Sequence, residues 1–302
     1  MGDPTLQQLR YLVALHDHGH FGRAAAACFV SQPALSTQLR ELEQRLGATL
    51  VERRRGALLF TPAGRDIVAR ARRILGDVND LRDAARVGTT ITGPFRLGTI
   101  PTIGPYLLPR TLPIVANHVP DATVTLREAQ TAVLIEELRS GELDLLLLGT
   151  EEPDTDLDTA HLGTDTFLLA VPERHPLATR RGPIAHEQIA DLRVLVLSEG
   201  HCLRDQTLSV CALVGADSEQ VQASGLATVV QMVAAGMGVT FLPASAAAVE
   251  ARPGNGIAVR RIRTPAPARP ITLTWRASSP YRAHYEELVN LLRRALQLRS
   301  VH

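Results

Sequence analysis

Lysine is absent from this 302-residue chain: all 32 basic residues are arginine. A replacement this uniform reflects genomic composition more than function, although arginine also suits bidentate contacts to phosphates and bases. Cysteine is scarce too, with three scattered residues. An odd, dispersed set excludes the disulfide framework of a small secreted protein and points to a reducing compartment, so the expected location is the cytoplasm. No apolar run approaches the roughly 18 residues of a membrane span. The first residues, Met1-Gly2-Asp3-Pro4, lack a basic region followed by an apolar one, so neither a membrane nor an export route is expected. There is no CxxC pair, no Cys/His spacing suited to zinc, no glycine-rich phosphate loop and no pair of carboxylates placed for hydrolysis.

What is present is apolar enough to fold as more than one domain. Hydrophobic residues make up 45% of the chain, and 302 residues exceed what one compact core usually organises. Residues 1–90 hold 13 arginines against 9 acids, whereas residues 91–302 hold 19 basic residues against 22 acids. The mild N-terminal excess is weak evidence for nucleic acid, and any such contact must come from local geometry.

Leu6, Leu9, Leu12 and Val13 recur at helical spacing, and an alanine-rich stretch from Phe21 to Cys28 predicts a second helix. Ser31 can cap a third, with Pro33 in its first turn and Leu35, Leu39, Leu42 and Leu46 as an apolar stripe ending at Gly47. This order is a helix-turn-helix pattern. Opposite the stripe lie Pro33, Thr37, Arg40 and Gln44, flanked by Gln32 and Ser36. A major-groove helix needs such a short, polar face, and an ordinary solvated helix shows the same face. Leu50-Val51-Glu52, Arg53-Arg54-Arg55-Gly56 and Leu58-Leu59-Phe60 read as a hairpin with an arginine tip, a wing for the phosphate backbone or minor groove. An arginine triplet is also common on plain surface.

Thr61-Pro62 opens a long helix, along which Ile67, Ala71, Ile74, Val78, Leu81 and Ala85 recur at steps of four and three. That narrow seam suits pairing of two chains, and symmetric half-site reading of DNA, more than burial in the chain's own core. After a breaker-rich hinge at Thr89–Pro94, Phe95–Thr99, Tyr106–Val115, Thr123–Glu128, Ala132–Leu138 and Leu143–Leu148 read as βαβαβ. A second set follows: strands at Thr166–Val171, Val194–Leu197, Val239–Leu242, Ile257–Val259 and Ile271–Trp275, helices after Cys202 and over Thr228–Ala235, and a closing helix over Tyr285–Leu298. Two α/β lobes with a crevice between them are expected.

In that second set stands His201-Cys202-Leu203-Arg204-Asp205-Gln206, with Cys211 at the ninth position after Cys202. If the segment is helical, nine steps separate the two Cα atoms by about 13 Å along the axis and turn the side chains to opposite faces. A disulfide tolerates about 7 Å, so the thiols can join only if the helix comes apart. The same two residues also fit small apolar positions of an ordinary helix, as Cys28 does at the end of the second helix.

The chain resembles the LysR-type transcriptional regulators, and more narrowly their peroxide-sensing OxyR subfamily. The resemblance rests on FGRAAAACFVSQPALSTQLRELEQRL (Phe21 to Leu46), IPTIGPYLLP (Ile100 to Pro109), EAQT (Glu128 to Thr131), HCLRDQ with Cys211, Gly215-Ala216-Asp217, and MVAAGMGVTFLP (Met232 to Pro243). It implies a winged helix-turn-helix over residues 1–61, all-α with a small β wing, and a dimerising linker helix over 62–90. A two-lobed, periplasmic-binding-protein-like α/β sensor would fill 91–302, lobe I from about 91–165 and 269–302, lobe II from 166–268. It further implies an activator or repressor, not an enzyme and without a cofactor, that assembles as a dimer of dimers on double-stranded promoter DNA, with RNA polymerase a candidate partner. The residue matching Cys202 would attack hydrogen peroxide and that matching Cys211 would resolve the product to a disulfide. Thr102, Thr131, His201, Gln206 and Arg269 carry over as the peroxide pocket.

A peroxide-reactive thiol must ionise and must have a donor for the departing hydroxide. Helix N-terminal amides and His201 lie beside Cys202 for that task, and Thr102 and Thr131 offer hydroxyls at strand ends. Thr131 equally suits a helix cap. Two other readings stay open: a regulator whose crevice binds a small metabolite, and a thiol peroxidase, which leaves the first 90 residues unexplained.

Overall fold

The computed structural model describes residues 2–54, 57–86, 91–151, 155–216, 218–220, 223 and 225–296. They form two compact units, Met1–Val87 with Glu136–Glu142, and Gly88–Ile135 with Leu143–His302.

In the first unit, α1 (Leu6–His18) starts at a capping box: Thr5 Oγ1 accepts from Gln8 N, and the Gln8 side chain reaches back to Thr5 N. Gly19 ends it at φ 58°, a left-handed stop that glycine makes without strain. Then come α2 (Phe21–Ala27) and α3 (Gln32–Leu46), the latter capped by Ser31 Oγ at 3.4 Å from Ala34 N. Leu35, Leu39 and Leu42 sink into a core with Leu9, Leu12, Leu15, Ala24, Ala25 and Leu50, as the leucine stripe predicts. Strand β1 (Val51–Arg54) pairs antiparallel with β2 (Ala57–Phe60). The ladder runs through Arg53↔Leu58 and Arg54↔Ala57, so these two arginines belong to paired strand and not to the expected tip. Arg55 lies outside the described residues.

Thr61 Oγ1 accepts from Gly64 N at 2.9 Å and starts α4 (Pro62–Arg86). Here the expected seam divides. Ala71 is buried in the unit's own core and Ile67 packs against it, whereas Ile74 and Leu81 are 44% and 69% exposed. The first turns of α4 meet the helix-turn-helix leucines, and the later turns leave them behind.

The second unit opens with β3 (Gly93–Thr99), α5 (Gly104–His118), β4 (Ala122–Glu128), α6 (Thr131–Arg139), whose residues from Glu136 onward belong to the first unit, and β5 (Leu145–Leu148). Both β4 and β5 run parallel to β3, the expected βαβαβ arrangement. The long strand β6 (Leu157–Pro172) follows, then β7 (Val194–Val196), α7 (Cys202–Val214), β8 (Ser218–Gln220) and α8 (Leu226–Ala234). The unit closes with β9 (Thr240–Pro243), α9 (Ala244–Glu250), β10 (Ile257–Arg261), β11 (Ala268–Arg276) and α10 (Arg282–Leu296). The sequence pattern predicts β6 only from Thr166; it begins nine residues earlier because its polar first half pairs with β11, while its apolar second half pairs with β9 and β10. The same pairing starts β11 at Ala268, not Ile271, which brings Arg269 into the ladder directly opposite Asp165. A core of Phe167, Leu169, Val171, Leu195, Leu203, Val210, Cys211, Val230 and Phe241 lies beneath α7. Among the described residues no helix is long and apolar enough to cross a membrane.

Candidate functional site

Arg269 supplies the fixed charge of the site. Its side chain is buried on β11, with Nη2 and Nε at 3.1 and 3.3 Å from Asp165 Oδ2. Ser245 completes the carboxylate's bonding, donating N–H to Oδ1 at 2.9 Å and its hydroxyl to Oδ2 at 2.7 Å. On its other side the guanidinium donates to the Thr102 carbonyl at 2.9 Å and to Thr102 Oγ1 at 3.2 Å. Because that oxygen accepts from arginine, the Thr102 proton remains free to be donated elsewhere.

Cys202 is the first residue of α7, where orphan backbone N–H groups face outward. Its thiol is half-buried. Burial pushes its pKa up, against the pull of the Arg269 charge, the Thr131 hydroxyl and the Leu203 N–H, with Asp205 adding a smaller push upward. The balance stays above the ordinary thiol range, so the resting group is a thiol held beside the elements that would stabilise its anion. Thr131 is the first residue of α6, and its Oγ1 is buried without a directed hydrogen-bond partner. It is therefore not the helix cap that its position also allowed; the hydroxyl is left beside the sulfur.

His201 is the N-cap residue of α7 at φ −98° and ψ 120°, but its side chain makes no capping bond. Burial lowers its pKa, which favours the neutral imidazole. The positive charge beside the sulfur comes from Arg269. Gln206, one turn into α7, donates Nε2–H to the Gly149 carbonyl at 2.6 Å and keeps Oε1 buried without a partner. The loop leading into Cys202 has a strict glycine at Gly200: φ is +88°, and an added Cβ would stand 2.5 Å from Gln130 Nε2. The structure thus brings Cys202, Thr131 and Arg269 together, joins Thr102 to Arg269, and sets His201 and Gln206 on either side of Cys202 in sequence.

Cys211 lies on the same unbroken helix and is buried in the core beneath it. Burial pushes its thiol up to about 11. Both cysteines are free. Nine helical steps keep their Cα atoms about 13 Å apart, beyond disulfide reach.

On α3, Gln32, Pro33, Thr37 and Arg40 are exposed and Ser36 is half-buried, so the expected DNA-facing side is a continuous polar surface. Arg53 and Arg54 sit in the wing ladder. Sequence reasoning missed Asp165, which neutralises Arg269, and Ser245, which donates to Asp165. No local signal marks them, because the opposition of Asp165 to Arg269 exists only in the register of β6 with β11.

Residues 6–65 match the family described as "Bacterial regulatory helix-turn-helix protein, lysR family", and residues 88–297 match "LysR substrate binding domain". The chain is 42% identical over 292 residues, 96% of its length and 95% of the relative's, to "DNA-binding transcriptional dual regulator OxyR" of Escherichia coli strain K12. Among solved structures it is similar to a full-length OxyR variant from Pseudomonas aeruginosa, with a TM-score of 0.78 and 37% identity over 97% of this chain and 96% of that one. A hydrogen peroxide-bound OxyR mutant from Corynebacterium glutamicum aligns with a TM-score of 0.64 and 34% identity, over 98% of this chain and 96% of that one.

Proposed function

Because the chain belongs to the LysR family of bacterial transcriptional regulators, in its OxyR branch, we propose that it senses hydrogen peroxide at Cys202 and reports it to promoter DNA through a Cys202–Cys211 disulfide. It is a DNA-binding regulator and not an enzyme. The observation that carries the reading is the seat of Cys202: a helix N-terminus beside a buried guanidinium and the Thr131 hydroxyl, with its second thiol on the far side of the same helix.

In the first step Cys202 gives up its proton and the thiolate sulfur attacks one peroxide oxygen. The O–O bond breaks, the sulfenic acid Cys202–SOH forms, and the departing hydroxide takes a proton to leave as water. Arg269 stabilises the thiolate; Thr102 and Thr131 hold the two oxygens through their hydroxyls; Gln206 offers a free amide oxygen to a peroxide O–H. His201, neutral, is suited to donate and accept hydrogen bonds without adding charge. In the second step the Cys211 sulfur attacks the sulfenic sulfur, an S–S bond forms and a second water leaves. That step needs the first turns of α7 to unwind. Closing the link biases the unwound state by on the order of 2–4 kcal/mol, enough to repack an interface between copies.

The regulator acts in the cytoplasm as a homo-oligomer, a dimer of dimers with the later turns of α4 as one contact, on double-stranded promoter DNA. Gln32, Pro33, Ser36, Thr37 and Arg40 enter the major groove, Arg53, Arg54 and Arg55 lie along the backbone, and RNA polymerase is met at the promoter. The test is footprinting on the protein's own upstream DNA with and without peroxide, for wild type and Cys202→Ser. Wild type changes its footprint on oxidation and Cys202→Ser binds without changing; an intact response in the variant overturns the mechanism. A response that instead follows a small metabolite, with no Cys202–Cys211 link by mass spectrometry, would mark the crevice as an effector site.

A further inference from the structure

The closing helix carries a second cluster of chemistry that neither the thiols nor the DNA-binding face use. His118 ends α5, while His284 and Glu287 stand three residues apart in the first turns of α10, on one face of that helix. Helix α10 packs against α5. One ligand atom from each of the three residues lies within 4.8 Å of the other two, and this is the only such group of His, Cys, Asp and Glu among the described residues.

We propose that His118, His284 and Glu287 bind one divalent transition-metal ion of the zinc, nickel or cobalt class. The donor set selects the ion: two imidazoles and one carboxylate suit these borderline metals, whereas calcium and magnesium require mostly oxygen. His118 is already oriented as a ligand is oriented, with Nε2 at 2.9 Å from the His284 main-chain oxygen, and a carbonyl anchor of this kind fixes ring and tautomer. The two imidazoles meet edge to face, with centroids 6.1 Å apart and planes at 72°, so neither covers the other. Arg282, the cation nearest in sequence, is engaged by Glu286 at 3.0 Å and Asp158 at 3.3 Å. Both histidines are half-buried and Glu287 is exposed, which leaves the cluster open to solvent on one side. Three protein ligands leave at least one coordination position to water. A bound ion clamps the end of α5 to the start of α10 and stabilises the folded chain in proportion to free metal. None of this depends on the peroxide reading.

The experiment uses the untagged, reduced full-length protein stripped with EDTA and then dialysed. Zn²⁺ and Ni²⁺ are titrated by calorimetry and Co²⁺ by absorption, with thermal melts at each metal concentration. One ion per chain is expected, with a dissociation constant on the order of micromolar or tighter and a melting temperature that rises with metal. Cobalt bands should lack the intense near-ultraviolet charge transfer of thiolate ligation, and binding should persist when Cys28, Cys202 and Cys211 are all serine. His118→Gln and Glu287→Gln should each weaken binding at least about ten-fold while the metal-free melt stays as in wild type. The proposal is overturned by no saturable binding up to about 1 mM metal, by a thiolate band in the cobalt complex, or by wild-type affinity in a His118→Gln/His284→Gln double variant. The cobalt spectrum of wild type decides the ligand type even if a variant fails to fold.

Discussion

Ser209 lies on the exposed side of α7, between the two cysteines, with its hydroxyl bonded back to the Asp205 carbonyl at 2.8 Å. Ser209 itself is not among the groups that shift either thiol, so replacing it by alanine and, separately, by glycine changes the stability of the helix with little effect on peroxide attack. In an exposed helix interior the two residues differ by about 0.8–1.0 kcal/mol in favour of alanine. If the helix must open across this turn before Cys211 reaches the sulfenic sulfur, that difference appears whole in the pre-equilibrium. With RT near 0.6 kcal/mol, Ser209→Gly should close the disulfide about four to five times faster than Ser209→Ala, with the wild type between them. The assay is rapid quenching after a peroxide pulse, alkylation of remaining thiols, and mass spectrometry of the Cys202–Cys211 link. A sulfenic-acid trap in parallel reports the first step, which should be the same in both variants. Equal closure rates, or a slower glycine variant, would refute the requirement that α7 melts.

Arg269→Ala leaves the Asp165 carboxylate buried with the two Ser245 hydrogen bonds but no cation, and breaking such a pair should cost about 3–5 kcal/mol of stability in a denaturant titration. A loss under about 1 kcal/mol would remove Arg269 as the fixed charge of the site. Because burial holds the Cys202 thiol above its ordinary range, only a minor fraction is thiolate at neutral pH, and that fraction grows as pH rises toward the raised pKa. The second-order rate with peroxide should therefore climb steadily from about pH 6 to pH 8 in stopped-flow measurements, whereas a flat profile would mean an anion at rest. Leu81 is 69% exposed on α4, and Leu81→Asp should shift the assembly to smaller species in sedimentation; an unchanged mass would remove the later turns of that helix from the interface.

Much of this molecule can be read locally. The leucine stripe of α3, its Ser31 cap and its Gly47 stop are consecutive features, and each maps onto the structure without adjustment. The same holds for the Thr61-Pro62 start of α4 and for α7, whose lack of glycine and proline predicts the unbroken helix that separates the cysteines. Reading failed where order comes from a distant partner. The first half of β6, with Asp158, Thr159, His161 and Asp165, looks like loop until β11 pairs with it. Strand β8 and helix α9 are too short to carry a period of their own. The α4 seam looks uniform in sequence, yet Ala71 is buried by its own unit and Leu81 is not.

The candidate site shows the same division. Which residues are candidates for the proposed chemistry is written in short motifs: a cysteine at a helix start, its second thiol nine residues on, threonines after strands. How their charges are balanced is not. The sequence places His201 next to Cys202, where burial lowers its pKa and favours the neutral ring, and the positive charge arrives from Arg269, 67 positions away and held by Asp165 across a ladder. Helix periodicity, caps and the spacing of the thiols are short-range properties, so the chain determined them alone. The protonation of Cys202 and His201, and the neutralisation of Arg269, depend on burial and on strand register, which only the folded sheet fixes.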